Sequence, residues 1–329
     1  MKKMNHRYIQ LVIITAMALL LTSCKDTMTL DRLSNEPKLV VYCLPSTADT
    51  TYINVSRSIA VRNYNDNMRI VDIDNATITY TVNGQPQQVF HRDGGNYYVL
   101  AHQNAGDRIA VSVSAPNLPD ASGETVIPDT VAVKGIGLHD VRIFNSDYMR
   151  SEDYYQLTTE FADPSQSRDY YAARVRLMTC ADIYSVDDNY KCIITTDTSY
   201  SYRKIYTSSE PIFNPITDID DDFGFDGDFF GGLPIFSDAA INGTTYKLHI
   251  NVDPCLNDDK SGLMIELLHL TPEFYHFLES FNSVNNSDFA RHGMSQIMPT
   301  ASNVRGGFGL IGGWNVSHTG YVRRPKNEY

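Results

Sequence analysis

The sequence runs to 329 residues, with 27 Lys and Arg against 39 Asp and Glu and a net charge of −12. It contains no run of basic residues, which excludes nucleic acid as an expected partner because phosphate binding needs clustered positive charge. Hydrophobic residues make up 42%, enough for a packed core in two domains or one large β domain.

The chain opens with a basic head, Lys2, Lys3 and Arg7, and no acid. An apolar run from Ile9 to Leu21 follows, interrupted only by Gln10 and Thr15. The run is too short for a membrane span, which needs about 20 apolar residues, and it has the plan of a secretory signal. Leu21-Thr22-Ser23-Cys24 then gives apolar, small, small, Cys, the pattern of a bacterial lipoprotein signal. The expectation is cleavage before Cys24 and acylation of that residue, palmitate included. Several acyl chains anchor stably where a single one is marginal. Lys25-Asp26, rather than an Asp directly after the Cys, points to the outer membrane, with the protein facing outward. Loss of Lys2, Lys3 and Arg7 with the signal takes the net charge from −12 to −15, which suits a soluble surface protein.

Residues 24–36 read as a lipidated polar tether. Lys38–Leu44 and Thr51–Ser56 read as strands. Ala76–Val82 alternates, with Ile78, Tyr80 and Val82 on one face, and Asn83-Gly84 is a hairpin turn signal. Asp93-Gly94-Gly95 marks a second turn before the strand Tyr97–Leu100. Arg108–Ser114 alternates through Ile109, Val111 and Val113. Short strands at this spacing predict an immunoglobulin-like β-sandwich over residues 37–120, with Ala115–Ile127 as a connector.

From 125 to 329 the sequence predicts a larger antiparallel β domain with one short helix. Tyr155, Leu157, Thr159 and Phe161 share a face, as do Tyr171, Ala173, Val175 and Leu177. The same holds for Tyr246, Leu248, Ile250 and Val252. The helix is expected over Pro272–Phe281, with Thr271 as its cap, Pro272 at its first position and Glu273 in its first turn. Phe274, Phe277, Leu278 and Phe281 form its apolar face. The fold class is therefore mainly β throughout.

Five cysteines become four once Cys24 is lipidated. An even number in an oxidising compartment allows two disulfides in three connectivities. Cys180 and Cys192 flank a turn-like stretch, Val186-Asp187-Asp188-Asn189, symmetrically, so Cys180–Cys192 is the expected bridge, with Cys43–Cys255 as the second. No C-x-x-C occurs, and the spacing fits no zinc pattern.

Several motifs resemble chemistry. Glu266-x-x-His269 and Glu273-x-x-His276 could serve a di-iron centre only from separate facing helices. They lie seven residues apart, and the first reads as strand, so they are expected at polar surface positions. The acidic run around Asp218, Asp220, Asp221, Asp222, Asp226 and Asp228 fails as an EF-hand loop. Counting from Asp218, Phe223 stands where Gly belongs and Phe229 where Glu belongs, so the run is expected to be a solvated loop. The sequence has no G-x-S-x-G, no H-E-x-x-H and no Walker loop. No catalytic residue, metal ligand or cofactor is expected.

Gly307, Gly309 and Gly312 spell G-x-G-x-x-G. A dinucleotide site needs a strand before that motif, a helix after it and an acid about 20 residues on. Here Gly313, Gly320 and Pro325 follow in a strand-like tail that ends 17 residues after Gly312. The glycines are instead expected to bend a terminal strand and let backbones approach, with Phe308, Leu310 and Trp314 packing around them.

The segment Ser302–Gly313, with Asn303, Gly306, Gly307 and Gly309, resembles the closing signature of a family known as domain of unknown function 4249. In that family the segment follows a helix like Pro272–Phe281. Arg305 stands where an acid is commoner, and Ile311-Gly312 where an aromatic is frequent. Pro37–Val41 is similar to the family's opening strand and Glu124–Pro128 to its domain junction. The resemblance implies an outer-membrane lipoprotein of the kind encoded beside TonB-dependent transporters, and it brings no catalytic residues. The sequence is therefore read as a non-catalytic binding or accessory subunit of such a β-barrel transporter. An adhesin or fibre module and a cell-surface hydrolase are the alternatives.

Overall fold

A computed structural model of the chain describes residues 36–59, 71–145, 149–186, 192–207, 210–213, 233–256, 260–286 and 301–324. The chain divides into two compact units, Met1–Glu36 with Ile59–Met68, and Pro37–Ser58 with Arg69–Tyr329. All that follows concerns the second. The lipidation residue Cys24 and the acidic run 218–228 lie outside the described residues. No helix among the described residues is long and apolar enough to cross a membrane.

The fold is mainly β. Its first half comprises β1 (Leu39–Cys43), β2 (Thr50–Arg57), β3 (Val71–Asp72), β4 (Thr77–Val82), β5 (Gln85–Gln87), β6 (Val89–Asp93), β7 (Asn96–Leu100), β8 (Arg108–Ser114) and β9 (Ala121–Val126). These strands make two sheets. One has the order β1-β2-β7-β6 with β3 beside β2, and the other the order β5-β4-β8-β9. The alternating residues of β1 and β8 send Leu39, Val41, Cys43, Ile109, Val111 and Val113 into a shared core with Tyr80 and Val99. Strands with a period of two bury one face and leave the other to solvent or a neighbour. Tyr80 is fully buried and gives its hydroxyl to Gln103, whose amide donates to Thr51, so the polar end of the ring is satisfied inside the core. Asn83 and Gly84 have φ of 51° and 79°, the two positive values a type I′ hairpin demands. The expected connector 115–127 is only partly a loop: Ala121–Val126 pairs with β8 as β9, because Ala121 and Thr125 fill inward positions.

The second half is also a pair of sheets. β10 (Val133–Asn145), β11 (Arg150–Ala162) and β15 (Thr245–Val252) form one. β12 (Tyr170–Val186), β13 (Cys192–Arg203), β14 (Ile235–Ser237), β16 (Gly262–Leu270) and β18 (Trp314–His318) form the other, in the order β13-β12-β16-β18 with β14 beside β12. Between them lie Leu157, Phe161, Tyr171, Val175 and Leu248 from the three alternating faces predicted from sequence, joined by Ile265 of β16.

Helix α1 (Pro272–Asn286) packs outside both cores. Phe274, Phe277 and Leu278 meet Tyr170, Ala172, Leu268 and Leu270 from the outer face of the second sandwich, together with Leu310. Burying each such side chain contributes about 1.5–3 kcal/mol. The side chain of Phe281 lies outside the described residues. Thr271 holds the expected N-cap position through its backbone but not through its side chain. Its carbonyl accepts the Tyr275 N–H at 3.0 Å, but its hydroxyl is buried without a hydrogen-bond partner.

The C-terminal segment ties these parts together. Arg305 exchanges backbone hydrogen bonds with Ser122 at the edge of β9. The chain turns at Gly306, and β17 (Phe308–Ile311) then adds to β1 as a parallel edge strand. The next strand, β18, joins the second sandwich beside β16. Two adjacent strands thus serve two different sandwiches. Asn303 fixes the step: its amide donates to the Ile311 carbonyl at 2.7 Å and its oxygen accepts the Ile311 N–H at 2.9 Å, acting as a side-chain rung of the ladder.

Gly309 has φ of +108°, and a Cβ there would stand 2.1 Å from the Val41 carbonyl oxygen. Gly306 has φ of +77°, and a Cβ there would meet the Asp120 oxygen at 2.2 Å. Of the residues expected to pack around these glycines, Leu310 is fully buried. Phe308 stays 48% exposed on the outer face, with Lys38 Nζ 5.4 Å from its ring centre.

No disulfide forms among the described cysteines: Cys43, Cys180 and Cys255 are free thiols. The β12–β13 register places Cys180 opposite Thr198 and Cys192 opposite Val186. The pairing is centred three residues later along the chain than a Cys180–Cys192 bridge requires. The two cysteines are six ladder positions apart, roughly 20 Å, against the 7 Å limit for a bridge. Cys43 and Cys255 are kept apart by burial in separate cores, Cys43 in the first sandwich and Cys255 against the second. Burial pushes the Cys43 thiol well above its ordinary pKa, leaving it an inert core residue.

A Gly309→Val change forces both a collision and a disfavoured φ. It is expected to destabilise the protein by more than about 4 kcal/mol, read as a lost or strongly lowered thermal transition. Gly320→Ala, at an open position, should leave melting unchanged.

Candidate functional site

The clearest concave site is a cleft of about 660 Å³ between the two sandwiches. Its construction follows from strand alternation. Residues 173, 175 and 177 of β12 face the core, so Arg174 and Arg176 face out. Farther back on this outer face, Tyr170 and Ala172 are covered by α1. Beyond the helix the face is open, and the sequence changes there from apolar to cationic.

Glu266 of β16 lies opposite Arg174 in register. One carboxylate oxygen takes two bonds from Arg174, 2.8 Å from its terminal nitrogen and 3.0 Å from Nε. The other carboxylate oxygen holds Arg176. Side-chain exposure is 2% for Glu266, 9% for Arg174 and 33% for Arg176. A buried carboxylate requires such pairing, and here a single anion serves two cations. The Arg174 guanidinium also lies 4.6 Å from the Tyr202 ring centre and 5.7 Å from that of Trp314, while Arg176 lies 5.8 Å from Tyr202. These are cation–π distances. Trp314, the single tryptophan of the chain, is fixed by its Nε1–H donating to the Leu44 carbonyl at 3.1 Å.

The first sandwich supplies the opposite wall. Tyr52, 53% exposed, and Asn54 are outward residues of β2, and Arg92, Asp93 and Asn96 come from the β6–β7 hairpin. Asn54 donates to Asn96 at 3.0 Å, and Asn96 donates to Asp93 at 3.2 Å. Among the described residues the cleft therefore presents three guanidiniums, two amides and three aromatic rings, with Asp93 the only carboxylate in its lining. A smaller hollow of about 470 Å³ lies beside the closing motif, lined in part by Ser112, Glu124, Asn303 and Arg305.

A second cluster is buried. The carboxylates of Asp163, Asp169 and Asp238 lie within 4.8 Å of one another. Asp163 accepts the Tyr171 hydroxyl at 2.6 Å and the Gly243 N–H at 2.9 Å. Asp169 accepts the Ser167 hydroxyl at 2.7 Å, and His269 Nε2 lies 3.1 Å from its other oxygen. Asp238 accepts the Asp169 N–H at 2.9 Å. Burial, reinforced by these carboxylates, pushes the Tyr171 hydroxyl far above its ordinary pKa, so it stays a donor. Oxygen donors this close are of the kind that hard cations take, but each carboxylate already has protein donors. The bonds join the 163–169 loop, the turn after β14 and β16.

The two E-x-x-H words dissolve in this geometry. Glu266 is not at the surface as expected but is the buried anchor of the arginines, and His269 serves Asp169. Only Glu273 and His276 are exposed, with His276 3.2 Å from Glu279. The cleft and the aspartate cluster were not singled out from sequence. Arg174 and Arg176, two charges alternating with core residues in Tyr171–Leu177, were the available signal for the cleft. The aspartates come from turns far apart in the chain and carried none.

By architecture this is a mainly β protein of two sandwiches, linked by their last strands and carrying an arginine-lined cleft. The family model described as Domain of unknown function (DUF4249) matches residues 25–319, and the chain belongs to that family. No curated protein and no solved structure matches it.

Glu266→Gln leaves two guanidiniums without their shared anion. It should destabilise the protein by about 3–5 kcal/mol, measured from denaturant midpoints, whereas Glu279→Gln on the exposed helix face should not. Tyr171→Phe removes a donor from a buried carboxylate and should cost about 1–3 kcal/mol by the same measurement.

Proposed function

We propose that this protein is a lipid-anchored, outward-facing outer-membrane lipoprotein that acts as a non-catalytic binding or accessory subunit of a TonB-dependent transporter. The observation that carries the reading is the Leu21-Thr22-Ser23-Cys24 sequence behind a basic head and a short apolar run. That order of residues supplies a cut site and an acyl acceptor together. The acidic chain suits an exposed, soluble body. The cleft supports a binding role, because guanidiniums, amides and aromatic rings around a hollow of this size are groups that recognise and orient a small ligand. The resemblance of the closing motif to lipoproteins encoded beside such transporters supplies the partner.

Metabolic labelling with palmitate should mark the protein, and Cys24→Ala should abolish the label and release the chain from the outer-membrane fraction. Solubilised membranes should yield a β-barrel transporter on affinity capture of the wild-type protein. Unchanged membrane association of Cys24→Ala would overturn the anchor, and capture that recovers no transporter would overturn the accessory role.

A further inference from the structure

We infer that the cleft between the two sandwiches binds a small hydroxylated carboxylate, a sugar acid, with Arg176 as the residue that takes its carboxylate. The inference deepens the binding role proposed above and rests on it for its biological setting.

The chain as a whole carries −12, yet Arg92, Arg174 and Arg176 converge on one cleft whose lining holds a single carboxylate, Asp93. Glu266 beneath the surface neutralises one guanidinium of the Arg174–Arg176 pair and leaves one positive charge over. Arg92 makes no ion pair among the described residues. An acidic protein that gathers an excess of guanidinium in one hollow has a place for an anion.

The guanidiniums are also pre-organised. Arg174 is held almost immobile, 9% exposed, between the Tyr202 and Trp314 rings while bonded to Glu266. Arg176 shares the same carboxylate and the Tyr202 ring, is hydrogen-bonded by the Tyr202 and Tyr321 side chains, and is 33% exposed where it lines the cleft. A guanidinium whose orientation is already fixed loses little entropy when a carboxylate docks on it, and its planar fork matches two carboxylate oxygens.

In the rest of the lining, Thr50 and Asn96 are half-buried short neutral groups suited to hydroxyls, Ser46 and Asn54 lie buried behind them, and the exposed ring of Tyr52 offers a face for a saturated ring. Inorganic phosphate or sulfate would use the arginines and leave these groups idle. A purely apolar acid would cut the remaining hydrogens and lone pairs of these groups off from water without replacing it, which costs affinity. A sugar acid uses all three kinds of group.

Titration calorimetry on the soluble mature chain tests this with digalacturonic acid as probe, lactose as the neutral counterpart and inorganic phosphate as the simple anion. Digalacturonic acid should bind at micromolar to millimolar concentration, more weakly as salt rises, while lactose and phosphate should give no saturable heat. Arg176→Gln, measured on protein that still melts cooperatively, should weaken binding tenfold or more, and Arg176→Lys should restore part of it by keeping the charge without the fork. No saturable binding of digalacturonic acid by folded protein, equal binding of phosphate, or an affinity indifferent to Arg176→Gln would each overturn the assignment. Binding of the acid without recovery of a transporter would leave this site standing and remove only the accessory role; the reverse outcome would do the opposite.

Discussion

The approach of Gly309 to the Val41 carbonyl governs the arrangement of the C-terminal chain. A parallel edge strand can lie on β1 there only because nothing projects from position 309, where φ is +108°. Once β17 is seated, Leu310 points out toward α1 and Ile311 points into the first core. Three residues after Ile311 the chain enters β18 and the second sandwich. A single close backbone contact therefore sets the register of a strand shared by one core, one helix and, through β18, a second sheet. The Asn303 amide, bonded to both backbone groups of Ile311, holds that register from the side.

The cleft is a consequence of this linkage. Trp314 begins β18, and its indole is tied to Leu44 just after β1, so the ring that flanks Arg174 is placed by both sandwiches. The arginines project from the second sandwich, and the amide chain Asn54–Asn96–Asp93 comes from the first. A change that loosened β17 would shift Trp314 and with it one side of the guanidinium stack. In this protein the integrity of the site and the packing of the terminal strand are one property. The closing glycines are distant from any chemistry yet control where the cleft residues stand.

Much of the architecture was legible in the sequence where the signal is local. Tyr171, Ala173, Val175 and Leu177 alternate, and alternation alone assigns them to a buried strand face. Thr271-Pro272 announces a helix start, and Asn83-Gly84 announces its hairpin, because these residues impose backbone angles by themselves. What was not legible depends on the distant partner. The pairing of Phe308–Ile311 with β1 joins opposite ends of the chain, and glycine-rich strands carry too little side-chain pattern to reveal their neighbour. The bridge expected between Cys180 and Cys192 failed because a hairpin's register depends on where its turn falls, and symmetry of spacing does not fix that. Glu266 looked like a surface acid because nothing local shows that two arginines meet it across the sheet. The cleft residues are ordinary outward positions until the end of the helix leaves them uncovered.

The two sandwiches form one cooperative body because adjacent terminal strands belong to both. Native-state hydrogen exchange tests it by comparing the opening free energies of β1 and β16, one from each sandwich and each directly paired with a terminal strand. The account predicts that the most protected amides of the two strands open with the same free energy and respond in parallel to added denaturant, as one unit. Protection of β1 that collapses at low denaturant while β16 stays fully protected would contradict it.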